Sequence, residues 1–266
     1  MSYRARVRKR LERQEKTYEV EQLMKEKRSE EYEALEEVFD RPTLMTVYDL
    51  LNKGEIGEIY GAVKAGKESK LYWGRSPRGD ELAIKIYLTV SAEFRKGMIT
   101  YITGDPRFRR VKKDPRSLIY TWARKEFANL REAHMAKVRV PKPFTVQNNV
   151  LIMEFIGEGG VSAPLLREVE LRNPERIYRN LLLYVERLYE AANLVHADLS
   201  EYNVMIWKGR PVIFDVSQAV SVKHPNAEQF LVRDLRNLNR YFKGIGVDVL
   251  PVEEVLRRVT GGTALR

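Results

Sequence analysis

The sequence predicts an α+β protein of two lobes, an antiparallel sheet half followed by a helical half. Residues 55–88 hold short apolar runs spaced by Gly57, Gly61 and Gly66, a period-2 pattern bounded by turn residues. Residues 150–156 (VLIMEFI) form one continuous apolar run, followed by Gly157, Gly159 and Gly160. Beyond them the apolar residues recur at helical spacing, most clearly over 180–195. A sheet, a linker and a helical half imply a cleft between the two.

The bulk composition narrows the class. A chain of 266 residues with 44% apolar and 32% charged residues reads as globular and soluble, with a real core. There is no cysteine, which rules out disulfides and thiolate metal sites and fits a cytoplasmic setting. The basic start, MSYRARVRKRLERQ, has no apolar stretch behind it and does not read as a secretory signal. No run approaches the ~20 apolar residues of a membrane span. A net charge of +10 favours polyanions, ATP and RNA among them, although many basic proteins bind no nucleic acid.

Taken in order, residues 3–38 read as a charged helix, basic at Arg4, Arg6, Arg8, Lys9, Arg10 and Arg13, and broken by Arg41-Pro42. Residues 43–53 predict a short amphipathic helix stopped by Gly54. The runs EIYGAV, KLYWGRS and ELAIKIYL predict three antiparallel strands, the last two joined through Arg78-Gly79-Asp80. Residues 91–119 read as a mobile polar loop with a basic cluster at Arg107, Arg109, Arg110, Lys112, Lys113 and Arg116. A helix over 120–137 ends at Pro141 and Pro143, and the 150–156 strand follows. Helices are expected at 180–195, 226–243 and 252–259, with a hairpin of 204–207 and 211–214 turning on Lys208-Gly209-Arg210. The implied units are 1–42 as an N-terminal extension, 43–153 as one lobe and 154–266 as the other.

The stretch from Gly61 to Lys67 fits G-x-x-x-x-G-K, the start of a phosphate-binding loop. Such a loop needs Ser or Thr next and a helix behind it, because the helix N-terminus holds the phosphates. Here Glu68 follows, Ser69 comes one place late, and the next residues read as strand. A hairpin turn lying over phosphates remains, with Gly66 allowing close approach and Lys67 and Ser69 as donors. An ordinary hairpin loop explains the same glycines.

Lys85 stands inside the apolar run LAIKIYL, where a charge is costly unless paired. A kinase uses a strand lysine there against the phosphates and a helix glutamate. Glu126 is the first candidate partner, beside the apolar Phe127 and Leu130, and Glu132 the second. A lysine that merely reaches solvent is the plain alternative.

Residues 196–203 (HADLSEYN) fit H-x-D-x-x-x-x-N between an amphipathic helix and a hairpin, as in a kinase catalytic loop. Asp198 can orient and deprotonate an attacking hydroxyl, and Asn203 can offer an amide oxygen to magnesium. Asp215 ends the strand VIFD and completes the oxygen ligands of a hard cation. Each fragment alone arises by chance, but their order along the chain is far less common.

The HADLSEYN motif, Ile213-Phe-Asp215-Val-Ser-Gln218, Gly66-Lys-Glu-Ser69 and Met153-Glu-Phe-Ile-Gly157 together resemble the RIO family of atypical protein kinases, over about residues 45–258. The chain looks most like the archaeal form of the first RIO subgroup. That resemblance implies a protein-kinase-like fold trimmed of its activation loop and peptide-docking subdomain. It implies that Lys67 and Ser69 touch the phosphates, and that Lys85 pairs with them and with Glu126. The backbone of Glu154 and Ile156, behind Met153, would bind adenine. Asp198 would be the catalytic aspartate, Asn203 and Asp215 the ligands of Mg2+ or Mn2+, and Asp215 a second catalytic group through an aspartyl-phosphate. It also implies ATP as substrate, autophosphorylation, ATP hydrolysis and a part in maturation of the small ribosomal subunit, with contact to its RNA. In place of D-F-G stands Asp215-Val-Ser, and no A-P-E follows, which argues against ordinary peptide phosphorylation. A nucleotide-dependent binding module acting in ribosome assembly is the second reading. A small-molecule phosphotransferase ranks third, since no acidic substrate pocket is evident in the helical half.

Overall fold

In a computed structural model, the described residues are 35, 38–88, 92–108 and 114–261. The expected helix over 3–38 and its basic start lie almost wholly outside them, as do Arg109, Arg110, Lys112 and Lys113.

Asp40 starts the first helix, α1 (Arg41–Asn52), by accepting the Thr43 N–H at 3.1 Å. Arg41-Pro42, expected to break a helix, therefore opens one, because proline's missing N–H is harmless in the first turn. The helix ends before Gly54, whose φ of 71° suits the reversal.

Strands β1 (Glu58–Ala65), β2 (Ser69–Arg75), β3 (Glu81–Tyr87), β4 (Pro143–Gln147) and β5 (Val150–Glu154) form an antiparallel sheet in the order β1-β2-β3-β5-β4. Alternation along β3 sends Leu82, Ile84 and Ile86 to one face, where they pack with Val47 and Leu50 of α1. The same alternation sends Ala83 and Lys85 to the other face. Register pairs Lys85 with Leu71 on one side and Leu151 on the other. Strand β4 was not expected; its two-residue turn at Asn148 and Asn149 is made by Asn148 at φ 54°.

The described part of the expected loop over 91–119 is instead largely helical. It contains α2 (Ala92–Ile102) and the start of α3 (Pro115–Met135). Met98 and Ile102 of α2 bury against Ile119 and Trp122 of α3, a partnership that the polar residues around them conceal. Helix α3 starts five residues before the expected 120 because Asp114 caps it, accepting the Ser117 N–H at 2.9 Å, ahead of Pro115. It ends at Met135, well before Pro141, where Lys137 turns left-handed.

A small hairpin, β6 (Gly157–Glu158) and β7 (Val161–Ser162), leads into the helical half. There α4 (Pro174–Glu190), β8 (Leu194–Val195), β9 (Val204–Trp207), β10 (Arg210–Ile213), β11 (Val220–Ser221), α5 (Ala227–Gly244) and α6 (Val252–Val259) follow in order. Helix α4 begins earlier than 180 because Asn173 caps it, accepting the Arg176 N–H at 2.9 Å. The β9–β10 turn uses Lys208 at φ 51° and Gly209 at φ 70°, the geometry of a tight hairpin. Leu181 and Val185 of α4 and Leu231, Leu238 and Phe242 of α5 form the core beneath Leu199, Val204 and Ile213. That core is the platform for the loops after β8 and β10. Among the described residues no helix is long and apolar enough to cross a membrane.

Candidate active site

A cleft of about 290 Å³ opens between the sheet and the loop after β10. Lys67, Glu68 and Ser69 enter it from the β1–β2 turn, Lys85 and Met153 from the sheet, Glu126 from α3 and Asp215 from below. A wider groove of about 920 Å³ lies along Glu154, Phe155 and Gly157 with Trp207 and Lys208. It is the larger space, but Lys85 and Asp215 do not line it, whereas both line the smaller cleft; Asp198 lines neither.

Lys85 is the junction of the cleft. Its Nζ lies 2.9 Å from Glu126 and 3.0 Å from Asp215 Oδ1. Burial alone would lower the ammonium, but the Asp215 and Glu126 charges hold it above its usual value. Burial pushes Glu126 up to about 7, and the Asp215 charge adds to that against the pull of Lys85. Asp215 goes the other way. Burial would raise it, yet Lys85, its hydrogen bond and that of Ser217 keep it below the usual carboxylate range. One ammonium between two carboxylates thus favours the anion on the more open partner: the Asp215 side chain is 46% exposed against 1% for Glu126.

The loop that carries Asp198 is held from below. Asp234 of α5, 1% exposed, accepts the Ala197 and Leu199 N–H groups, each at 2.8 Å. Arg233 donates to the Ala197 carbonyl and Asn237 to the Leu199 carbonyl at 3.2 Å. Ala197 sits left-handed at φ 66°, a conformation such anchoring sustains. Asn203 Nδ2 donates to the Asp198 carbonyl at 2.7 Å and to its Oδ2 at 3.1 Å, and Gln218 reaches the same Oδ2 at 3.3 Å. Burial raises Asp198 above its ordinary value, the Asn203 bond opposes this, and the Asp215 charge adds to it.

Asp215 is also left-handed, at φ 56°. The Phe214 N–H donates to the Asn203 carbonyl at 3.0 Å, tying the two loops together. Lys85 and Ser217 Oγ both donate to Asp215 Oδ1, leaving Oδ2. From α3, the fully buried Lys125 donates to the Ser217 and Ala219 carbonyls, and Asn129 to those of Val216 and Ala219. Burial, then Arg107 nearby, lowers Lys125 well below its usual value.

These donors suit a hard divalent cation. The Asn203 amide nitrogen is committed to Asp198, which leaves its oxygen, and Asp215 is held ionised with one oxygen unshared. Among the described residues no group of three or more His, Asp or Glu forms a metal site. Magnesium tolerates that, since it keeps waters and takes phosphate oxygens.

At the far end of the cleft, Met153 is a lining residue, but the side chains of Glu154 and Ile156 are not. The Glu154 N–H donates to the Lys142 carbonyl at 2.8 Å, and the Ile156 carbonyl accepts the Ala163 N–H at 2.8 Å. Among the described residues the Ile156 N–H has no hydrogen-bond partner.

Residues 70–255 match the family described as RIO domain. The chain belongs to the RIO family. It is 42% identical over 225 residues to the RIO-type serine/threonine-protein kinase Rio1 of Haloferax volcanii, covering 85% of this chain and 77% of that one. To Rio1 of Methanocaldococcus jannaschii it is 36% identical over 248 residues, covering 93% and 84%. The human serine/threonine-protein kinase RIO1 is 39% identical over 230 residues, and this chain spans only 40% of its length. This RIO domain is accordingly a RIO1-type atypical protein kinase. Among solved structures, the Rio2 kinase of Chaetomium thermophilum in its ADP/Mg2+-phosphoaspartate complex superposes with a TM-score of 0.62. At 20% identity, over 84% of this chain and 67% of that one, it shows the shared kinase-like α+β fold.

Several RIO-domain residues escaped the motif reading. Glu68 faces the cleft, where burial, then Asp215, raises its carboxyl; it sat in view within Gly66-Lys-Glu-Ser69 only as a departure from another motif. Asp234, Lys125 and Asn129 are polar residues on the apolar faces of their helices. That misplacement in the helical pattern was the available signal.

Proposed function

We propose that this chain transfers the terminal phosphoryl group of ATP, with Mg2+ or Mn2+, and that its own Ser or Thr residues and water are among the acceptors. Residues 43–153 would form the lobe over the nucleotide and 154–266 the lobe beneath. The single observation that carries the reading is Lys85, held between Glu126 and Asp215 across the cleft. Phosphate oxygens entering there meet an ammonium already positioned and charged, which lowers the reorganisation needed at reaction.

In this reading Lys67 and Ser69 hold the outer phosphates from the β1–β2 turn. Adenine lies behind Met153 against the Glu154 carbonyl and the Ile156 N–H; the second has no partner among the described residues. Asn203 and Asp215 Oδ2 would hold the cation, which supplies charge neutralisation on the phosphates. Asp198, raised by burial, accepts the proton of an attacking hydroxyl as its oxygen bonds to the γ-phosphorus and the β–γ bridging P–O bond breaks, releasing ADP. The Asp215 carboxylate is a second acceptor: one of its oxygens bonds to the γ-phosphorus as the β–γ bridging P–O bond breaks and ADP leaves, in line with the phosphoaspartate named for the Rio2 complex.

A role in small-subunit maturation, in the cytoplasm and against ribosomal RNA, rests on the net charge of +10 and the family. Two members of the basic cluster are already engaged within the chain. Arg107 is engaged internally with Asp105 and Asn129, and Arg116 pairs with Asp40 at 3.0 Å. That leaves room for the second reading, a nucleotide-dependent assembly module with little turnover. Labelled γ-phosphate ATP separates the two. Wild type should label itself and release phosphate while Asp198→Ala does neither; equal, negligible signal from both sinks the transfer reading. Nucleotide-dependent binding to small-subunit particles tests the module.

A further inference from the structure

The segment between β3 and α3 makes contacts that phosphoryl transfer, as derived above, does not use. After α2 the chain turns at Gly104, at φ 89°, against Pro225. Asp105 follows, charged yet 2% exposed. Its Oδ1 accepts Arg107 Nε at 2.9 Å and its Oδ2 accepts Arg107 Nη2 at 2.7 Å, a two-pronged pairing that fixes the guanidinium plane. The remaining arm, Arg107 Nη1, donates to Asn129 Oδ1 at 2.8 Å. Asn129 is completely buried on α3, and its Nδ2 donates to the Val216 carbonyl at 2.7 Å and the Ala219 carbonyl at 3.0 Å. Those two carbonyls bracket the turn that directly follows Asp215. The Asp105 carboxylate also receives the Ser221 N–H at 3.4 Å, on the strand that closes the turn.

The chemistry of the amide makes this chain of contacts directional. A buried asparagine can present either its oxygen or its NH2 to a given neighbour, and two carbonyls accept only the NH2. Arg107 supplies the donor that holds the oxygen away from them. We propose that Arg107, fixed by Asp105, is a positioning residue for the Asp215 loop, acting through the orientation of the Asn129 amide. Asp215 is a left-handed non-glycine residue, a conformation that persists only where its surroundings over-determine it. The latch is one such constraint, and it links the β3–α3 segment to the carboxylate under the phosphates.

The inference rests on the proposed cation-binding role of Asp215, and the test separates the two. Three variants are compared with wild type: Arg107→Ala, Arg107→Lys, which keeps the charge but loses the fork, and Asn129→Asp, which is isosteric but lacks the NH2. Arg131→Ala, which breaks an exposed pair with Glu132 on the same helix, is the control. Amide hydrogen exchange is measured on the metal-free protein over residues 216–219, along with thermal midpoint, ADP affinity without metal and the Mg2+ concentration for half-maximal phosphate release. Arg107→Ala and Asn129→Asp should speed exchange over 216–219 selectively. They should raise the Mg2+ requirement about tenfold, the scale of losing a group that orients a metal ligand. Metal-free ADP affinity should stay nearly unchanged, Arg107→Lys should fall between, and the control should match wild type. Unchanged exchange over 216–219 in a folded variant overturns the latch. So does acceleration spread evenly over the chain with an unchanged Mg2+ requirement. Should Arg107→Ala not fold, the lysine variant decides by the same two readings. A wild type without Mg2+-dependent turnover defeats the functional reading instead, while exchange in the metal-free protein still reports on the latch.

Discussion

Lys85 and Asp215, 130 positions apart in sequence, meet at 3.0 Å across the cleft. The contact joins β3 to the loop after β10.

Replacing Lys85 by methionine removes that junction while keeping the stem. The cleft then loses its fixed cation, and phosphate release should fall about 10²–10³-fold, the range for losing one preorganised electrostatic partner. Folding should survive, because Glu126 is already pushed up to about 7 and takes a proton readily. Steady-state turnover and circular dichroism check the two halves.

Glu68 presents a partly buried carboxyl to the space that the phosphates would occupy. Glu68→Gln removes a like charge and should tighten nucleotide binding several-fold, about 0.5–1 kcal/mol for a partly screened pair. Calorimetric titration with ADP is the measurement. Weaker binding would instead mark Glu68 as a contributor to the site.

Asp234 satisfies two buried N–H groups of the Asp198 loop. Asp234→Ala strands both, at about 1–3 kcal/mol each, so denaturant midpoints should drop clearly. Turnover should fall in the protein that remains folded, because Ala197 loses the support of its left-handed turn.

His196 is 2% exposed, and burial pushes it down to about 4 from an ordinary 6.5. Below pH 6.5 the unfolded chain takes up a proton that the folded chain refuses, so this residue's stabilising effect is lost as pH falls from 6.5 toward 4. The loss should reach about 3 kcal/mol at the acid end. Glu126 and Asp234, both raised to about 7, act with the opposite sign: their folded forms retain protons, favouring the fold at low pH. The wild-type curve should therefore be compared with that of His196→Leu, whose difference isolates the histidine. Parallel curves between pH 7.5 and 4.5 would contradict the assignment.

The polar residues separate what could be read in the sequence from what could not. Lys85 was conspicuous as a charge inside an apolar strand, and Asp198, Asn203 and Asp215 stood in an order of motifs that chance seldom assembles. Asp105 and Arg107 looked like parts of a polar loop, because the two residues they engage, Asn129 and Ser221, are distant in sequence. Helix α2 was missed for a similar reason: its buried Met98 and Ile102 make sense only against Ile119 and Trp122 of α3.

By itself the sequence determined the α+β order and the motif loops, since these follow from alternation, helical period and turn chemistry within a few residues of chain. Tertiary structure decided which carboxylate shares Lys85, which helix holds the Asp215 loop and which basic residues are turned inward. Those outcomes depend on burial and on partners up to 130 positions away, and a buried polar group is satisfied by whatever the folded chain brings to it.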